Sequence, residues 1–198
     1  MKIILGSSSA GRKFVMNELA QECGFVFDVM SPDIDEKAIR FDDPKDLVMA
    51  IANAKADALV SKIKEPAILI CSDQVVVFEG KIREKPVDAI QARDFLKSYE
   101  TAHPETLGAL VVVNTQTGQR VSGFQNTKVF FKQLPEDVIN AHIESGASLS
   151  GAGGFVVHDP TLKDYTDHIE GGFDAACGLS KELVKKLVSE VGGNLFKK

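Results

Sequence analysis

Short apolar runs alternate with helix-period segments along the first third of the chain. Residues 2–5 (KIIL), 25–30 (FVFDVM) and 67–71 (AILIC) are too short for buried helices and are bounded by small or polar residues, which predicts strands. Residues 12–21 and 45–63 carry apolar positions at three- and four-residue spacing, which predicts amphipathic helices. Strand and helix in turn are the rhythm of an α/β fold. The middle of the chain changes character. QVVVFEGKIREKP reads as a hairpin turning at Glu79 and Gly80, and residues 106–133 read as two long antiparallel strands around NTQTGQ. The sheet is therefore expected to be mixed. Helices are expected over 88–99, over 135–144 with Pro135 as the first helical residue, and over 179–191, with a glycine-rich segment, SGASLSGAGGFVVHDP, between the last two. No internal repeat and no long polar linker divides the pattern, so one domain over residues 1–198, with two lobes, is expected.

Composition narrows the function classes. With 198 residues, 44% of them hydrophobic, the chain can build a sizeable core without covalent staples. Its three cysteines, Cys23, Cys71 and Cys177, are odd in number and lack CxxC spacing, so neither a disulfide framework nor a zinc site is indicated and a reducing cytoplasm is expected. The opening residues form no signal-type apolar segment, and no run approaches the roughly 18 apolar residues of a membrane span, so neither export nor a membrane partner is expected. A formal charge of −5 argues against a general nucleic-acid binder. Any phosphate binding has to be local.

The opening ILGSSSAGRK offers such a place. A strand that enters a small-residue turn and then a helix leaves backbone N–H groups and the positive end of the helix dipole facing an anion. Gly6 and Gly11 have P-loop spacing, but Arg12 and Lys13 follow where that motif needs lysine and a hydroxyl, so the P-loop itself is not matched. SPDIDEK puts Asp33, Asp35 and Glu36 in a loop after a predicted strand, either as a solvated turn or as ligands. Asp73 falls where AILIC gives way to QVVV. A carboxylate between two apolar runs needs a partner or a metal. Lys55 lies inside the apolar arc of the 45–63 helix, where it either covers the core edge with its stem or meets an anion. Lys85 precedes Pro86, which holds its backbone extended. The histidines lack metal-ligand spacing, Cys71 has no basic partner nearby in sequence, and GAGGFV is not a dinucleotide fingerprint.

Taken in order, these short motifs resemble the Maf family of nucleoside triphosphate pyrophosphatases over almost the whole chain. ILGSSSAGRK resembles the family's opening SxSxRR-type loop, SPDIDEK its acidic loop, AKADA its lysine helix and CSDQVVV its catalytic strand end, which would put Asp73 at the end of a strand. REKP resembles its GKP hairpin, SGAGGFVVHDP its AGxYxIQG segment and IEGGFDAACGLS its closing IxGxxxNVxGLP stretch. The resemblance implies an elongated α/β domain with a mixed sheet, similar to inosine triphosphate pyrophosphatases, and commonly a homodimer. It implies hydrolysis of a nucleoside triphosphate between the α and β phosphates, releasing pyrophosphate, in the service of nucleotide-pool sanitation. By the same resemblance Asp73 is the proton acceptor, Asp35 a catalytic and metal-binding acid, and Arg12, Lys55 and Lys85 with Ser7 and Ser9 bind phosphate; for magnesium or manganese, Asp35 and Asp73 offer the carboxylates such an ion takes beside substrate phosphates, and Glu36 is a third acid. Four positions depart from the pattern: Gly11 in place of a large residue, Glu84 for the glycine of GKP, His158 for the glutamine of IQG and Ser180 for the proline of GLP. Gly11, Gln74 and His158 fall where the family reads the base, and Gln74 looks like the subgroup acting on 7-methyl-GTP rather than on dTTP and UTP. Two other readings remain at this point: a divergent P-loop-like phosphotransferase, and a non-catalytic nucleotide-binding regulator linked to cell division.

Overall fold

The first apolar run forms strand β1 (Lys2–Gly6), with Ile3, Ile4 and Leu5 buried. A computed structural model describes residues 1–192 of the chain. Of FVFDVM only two residues become strand β2 (Asp28–Val29), which lies parallel to β1 at an edge of the sheet. AILIC does not end where its apolar run ends. It continues through Ser72, Asp73 and Gln74 as one twelve-residue strand, β3 (Ala67–Phe78), parallel to β1. Asp73 thus sits inside a strand and not at its end, because no glycine or proline interrupts the extended backbone there.

The hairpin turns where expected. Glu79 and Gly80 both have positive φ (48° and 74°), the two-residue turn that matches strand twist, and β4 (Lys81–Arg83) returns antiparallel along β3. Strands β5 (Glu105–Asn114) and β6 (Arg120–Phe131) flank NTQTGQ, and β7 (Thr166–Glu170), which the sequence pattern did not announce, adds antiparallel to β6. The sheet order is β2-β1-β3-β5-β6-β7 with β4 on β3, so the fold is α/β with a mixed sheet.

Local chemistry accounts for the helix boundaries. Helix α1 (Ala10–Cys23) starts at Ser9, whose hydroxyl accepts the Arg12 N–H, and stops at Gly24 in the left-handed region. Helix α2 (Pro44–Val60) starts behind Asp43, with Pro44 at its first position. Helix α3 (Ala89–Ser98) is capped by Asp88. In α4 (Glu136–Glu144), Pro135 occupies the cap and not the first helical position, one residue earlier than expected. A short helix, α5 (Phe173–Ala176), precedes α6 (Lys181–Gly192). No helix among the described residues is long and apolar enough to cross a membrane.

The described residues divide into two compact units, one built from residues 1–73, 108–125 and 178–192, the other from 74–107 and 126–177. The first has an aliphatic core that includes Leu5, Met16, Leu19, Leu47, Leu59 and Ile70, all fully buried. The second centres on aromatic rings. Tyr99 packs against Phe78, Phe131 and Phe155 with centroids 5.2, 5.9 and 5.6 Å away, and its hydroxyl donates to the Gly153 carbonyl at 2.7 Å. Gly153 has φ 66°, and a Cβ there would collide with the Tyr99 hydroxyl and Val76, so the glycine-rich segment is the part of the chain that can close over this ring.

Candidate active site

Within the first unit, the opening loop, helix α2 and the Asp73 end of the first-unit part of β3 converge. Gly6 ends β1 beside Cys71 and Leu59, which leave no space for a Cβ, so the chain turns at once into the serines. Ser7 is buried and its hydroxyl accepts from the Ser9 N–H at 3.2 Å and from Arg12 Nη1 at 3.3 Å. Arg12 is held a second time, Nε donating to the Gly178 carbonyl at 3.2 Å, which also accepts the Ser72 hydroxyl at 3.1 Å. Burial pulls the Arg12 guanidinium below its ordinary pKa, while Asp73 and Glu36 act to raise it. Gly11 is buried in the first turn of α1.

Lys55 extends from the apolar face of α2 with only 4% of its surface exposed. Its Nζ lies 2.7 Å from Asp73 Oδ1 and 3.1 Å from Glu36 Oε1, so one ammonium joins the buried carboxylate of β3 to the carboxylate of the acidic loop. Of the two possibilities the sequence left for Lys55, the anionic partner is the one observed. Asp35 is used differently from Glu36. Its carboxylate accepts the Lys37 N–H at 3.1 Å and caps the single 3₁₀ turn Glu36–Ala38, at the surface. The expected set of Asp35, Glu36 and Asp73 therefore does not close on a common point: no group of three potential metal-ligating His, Cys, Asp or Glu side chains forms among the described residues. Glu36 is the acid of this loop that approaches Asp73, because Asp35 is spent on its own backbone. Cys71 is fully buried, and burial pushes its thiol up to about 12 against the opposing pull of Lys55 and Arg12, which makes it an inert core residue.

Three further expected residues belong to the second unit. Gln74 Nε2 donates to the Ala176 carbonyl at 3.2 Å, and His158 Nδ1 lies 3.6 Å from Cys177 Sγ, so both side chains gather at the end of α5. Burial lowers the His158 pKa, with Asp159 opposing. Lys85 is exposed in the loop after β4. The sequence reading missed Gly178, whose only signal was its place in the closing GLS, and the roles of Ser72 and α5, which depend on contacts distant along the chain.

The family model described as "Maf-like protein" matches residues 2–191. The chain belongs to the Maf family. A "7-methyl-GTP pyrophosphatase" from Dictyostelium discoideum is 43% identical over 196 residues, covering 96% of each chain. A "dTTP/UTP pyrophosphatase" from Bdellovibrio bacteriovorus is 32% identical over 192 residues, covering 95% of this chain and 97% of its own. Among solved structures, a Nucleoside-triphosphatase / dITP/XTP pyrophosphatase from Mycobacterium abscessus overlaps with a TM-score of 0.41 and 14% identity, over 68% of this chain and 76% of that one, an overlap too slight to support any inference. Membership of the Maf family removes the P-loop phosphotransferase from consideration, as the Arg12–Lys13 mismatch already suggested.

Proposed function

We propose that this Maf protein hydrolyses nucleoside triphosphates at the α–β phosphoanhydride, releasing a nucleoside monophosphate and pyrophosphate, and that its preferred substrate is 7-methyl-GTP, as part of nucleotide-pool sanitation. The 43% identity, over nearly all of both chains, to a protein named for that activity carries the reading. The chemistry available around Asp73 supports it. Asp73 accepts the proton of the attacking water as the water oxygen bonds to the α-phosphorus and the bond from that phosphorus to the bridging oxygen breaks, sending pyrophosphate away. Lys55 orients the Asp73 carboxylate, and Arg12 with Ser7, Ser9 and the first turn of α1 binds phosphate oxygens. Lys85 is a further phosphate ligand in this reading, by family resemblance.

Magnesium or manganese is the proposed cofactor. Hard oxygen donors suit it, and such an ion commonly needs only one or two carboxylates beside the substrate phosphates, which Asp73 and Glu36, sharing one ammonium, can supply. Asp35 holds the turn that presents Glu36. When bound, the ion neutralises charge on the phosphates and increases the acidity of water. A homodimer and a cytoplasmic location complete the proposal, the first supported by the family resemblance and the second by three cysteines without a disulfide among the described residues.

Gln74 supplies donor and acceptor groups, and His158 a ring face and a nitrogen, for selecting the base. A site whose polar groups pair one base rejects another that leaves them unpaired. A panel of natural and modified triphosphates, with magnesium or manganese and pyrophosphate as the readout, tests the reaction. The kcat/KM ratio of 7-methyl-GTP to UTP is expected above one in the wild type and lower in Gln74→Thr. A wild-type ratio below one returns preference to the pyrimidine nucleotides.

A further inference from the structure

We infer that Gln125 is a positioning residue: it fixes the turn at 178–180 and, through the Gly178 carbonyl, the guanidinium of Arg12. The inference rests on the proposed reading of Arg12 as a phosphate ligand. Gln125 lies in none of the motifs named above, yet it is a buried polar residue, the last of the first unit's 108–125 segment, and its Oε1 accepts the Ser180 N–H at 2.7 Å.

Two residues before Ser180, the Gly178 carbonyl receives Arg12 Nε and the Ser72 hydroxyl. Between them Leu179 is fully buried, and Gly178 has φ 103°, a conformation that a side chain would strain. The Ser180 hydroxyl accepts the Leu183 N–H and starts α6. The turn is thus pinned on one side by α6 and on the other by Gln125. Gly108 makes room for this contact. A Cβ at Gly108 would stand 3.0 Å from Gln125 Cγ, 3.1 Å from its Nε2 and 3.2 Å from the Asp73 carbonyl, so a larger residue there would press on the glutamine and shift it by a few tenths of an ångström. Arg12 spends Nε on Gly178 and Nη1 on Ser7, which aims the rest of its N–H fork.

Gln125→Met removes the acceptor of this hydrogen bond and Ser180→Pro its donor, the second together with the hydroxyl that caps α6. Both are expected to raise KM and the inhibition constant of pyrophosphate about threefold to tenfold, with kcat changed by less than about twofold, and the double variant is expected to be no worse than the more affected single one. The Arg12 Nε–H signal in ¹H–¹⁵N NMR, protected in the wild type, is expected to exchange with water in each variant. If one variant fails to fold, the other carries the test. Unchanged pyrophosphate inhibition together with a protected Nε–H signal in a folded variant overturns the inference. Arg12→Ala separates the two levels: pyrophosphate inhibition unchanged in that variant overturns the phosphate-ligand reading, and the positioning role is then decided by the Nε–H signal alone.

Discussion

Lys55 brings a charge into an apolar helix face because two carboxylates meet it there. Removing one member of a buried pair leaves the other uncompensated, so Lys55→Met is expected to cost about 3 kcal/mol of stability as well as activity. Urea denaturation measures the first and pyrophosphate release the second. A variant as stable as the wild type would mean that Asp73 does not depend on this ammonium. Asp73→Asn has a different signature. It keeps the size of the side chain, and Lys55 retains Glu36, so the fold is expected to survive while turnover falls by about 10² or more, the scale of a lost general base. Turnover above about a tenth of wild type would remove Asp73 from the proton-accepting role.

At the scale of elements, α2 matters because it carries Lys55, and its start is set by Asp43, whose carboxylate accepts the Lys45 and Asp46 N–H groups at 2.7 and 3.1 Å. Asp43→Ala is expected to cost about 1 kcal/mol with kcat nearly unchanged, because the buried face of the helix still holds Lys55 in place. Equilibrium denaturation of the two proteins checks the loss. Strand β3 shows the opposite dependence. Its continuity through Ser72, Asp73 and Gln74 comes from pairing with β1 at one end and β4 at the other, so polar residues that look like a boundary in the sequence are carried within a strand.

For the molecule as a whole, acid stability has an identifiable contributor. His142 is fully buried on α4, its Nδ1 is 2.7 Å from the Thr161 hydroxyl, and burial lowers its pKa below the ordinary 6.5 despite the opposing effects of Asp159 and the Gly154 backbone. The folded state favours the neutral ring, while the unfolded chain takes up a proton below about 6.5. The stability contributed by neutral His142 is therefore present above that pH and is lost as the pH falls towards the folded pKa. Tm is expected to fall from pH 7 to pH 5, and to fall less in His142→Gln. Equal slopes in the two proteins would assign the acid sensitivity to other groups.

The sequence by itself determined the α/β rhythm, the hairpin at Glu79–Gly80, the two long strands, most of the helices and the residue types of the site, because periodicity, caps and turn residues act over a few positions. Ordered motifs also carried the family. Tertiary structure decided which of these residues meet. Asp35 and Glu36 are neighbours in one acidic loop, and only the approach of α2 and β3 makes Glu36 the partner of Lys55 while Asp35 caps a turn. Gly178 became the anchor of Arg12, and Gln125 the anchor of Ser180, through contacts between residues 166 and 55 positions apart. A hydrogen bond across such a span leaves no periodic trace in the chain, since its geometry depends on the packing of several elements at once.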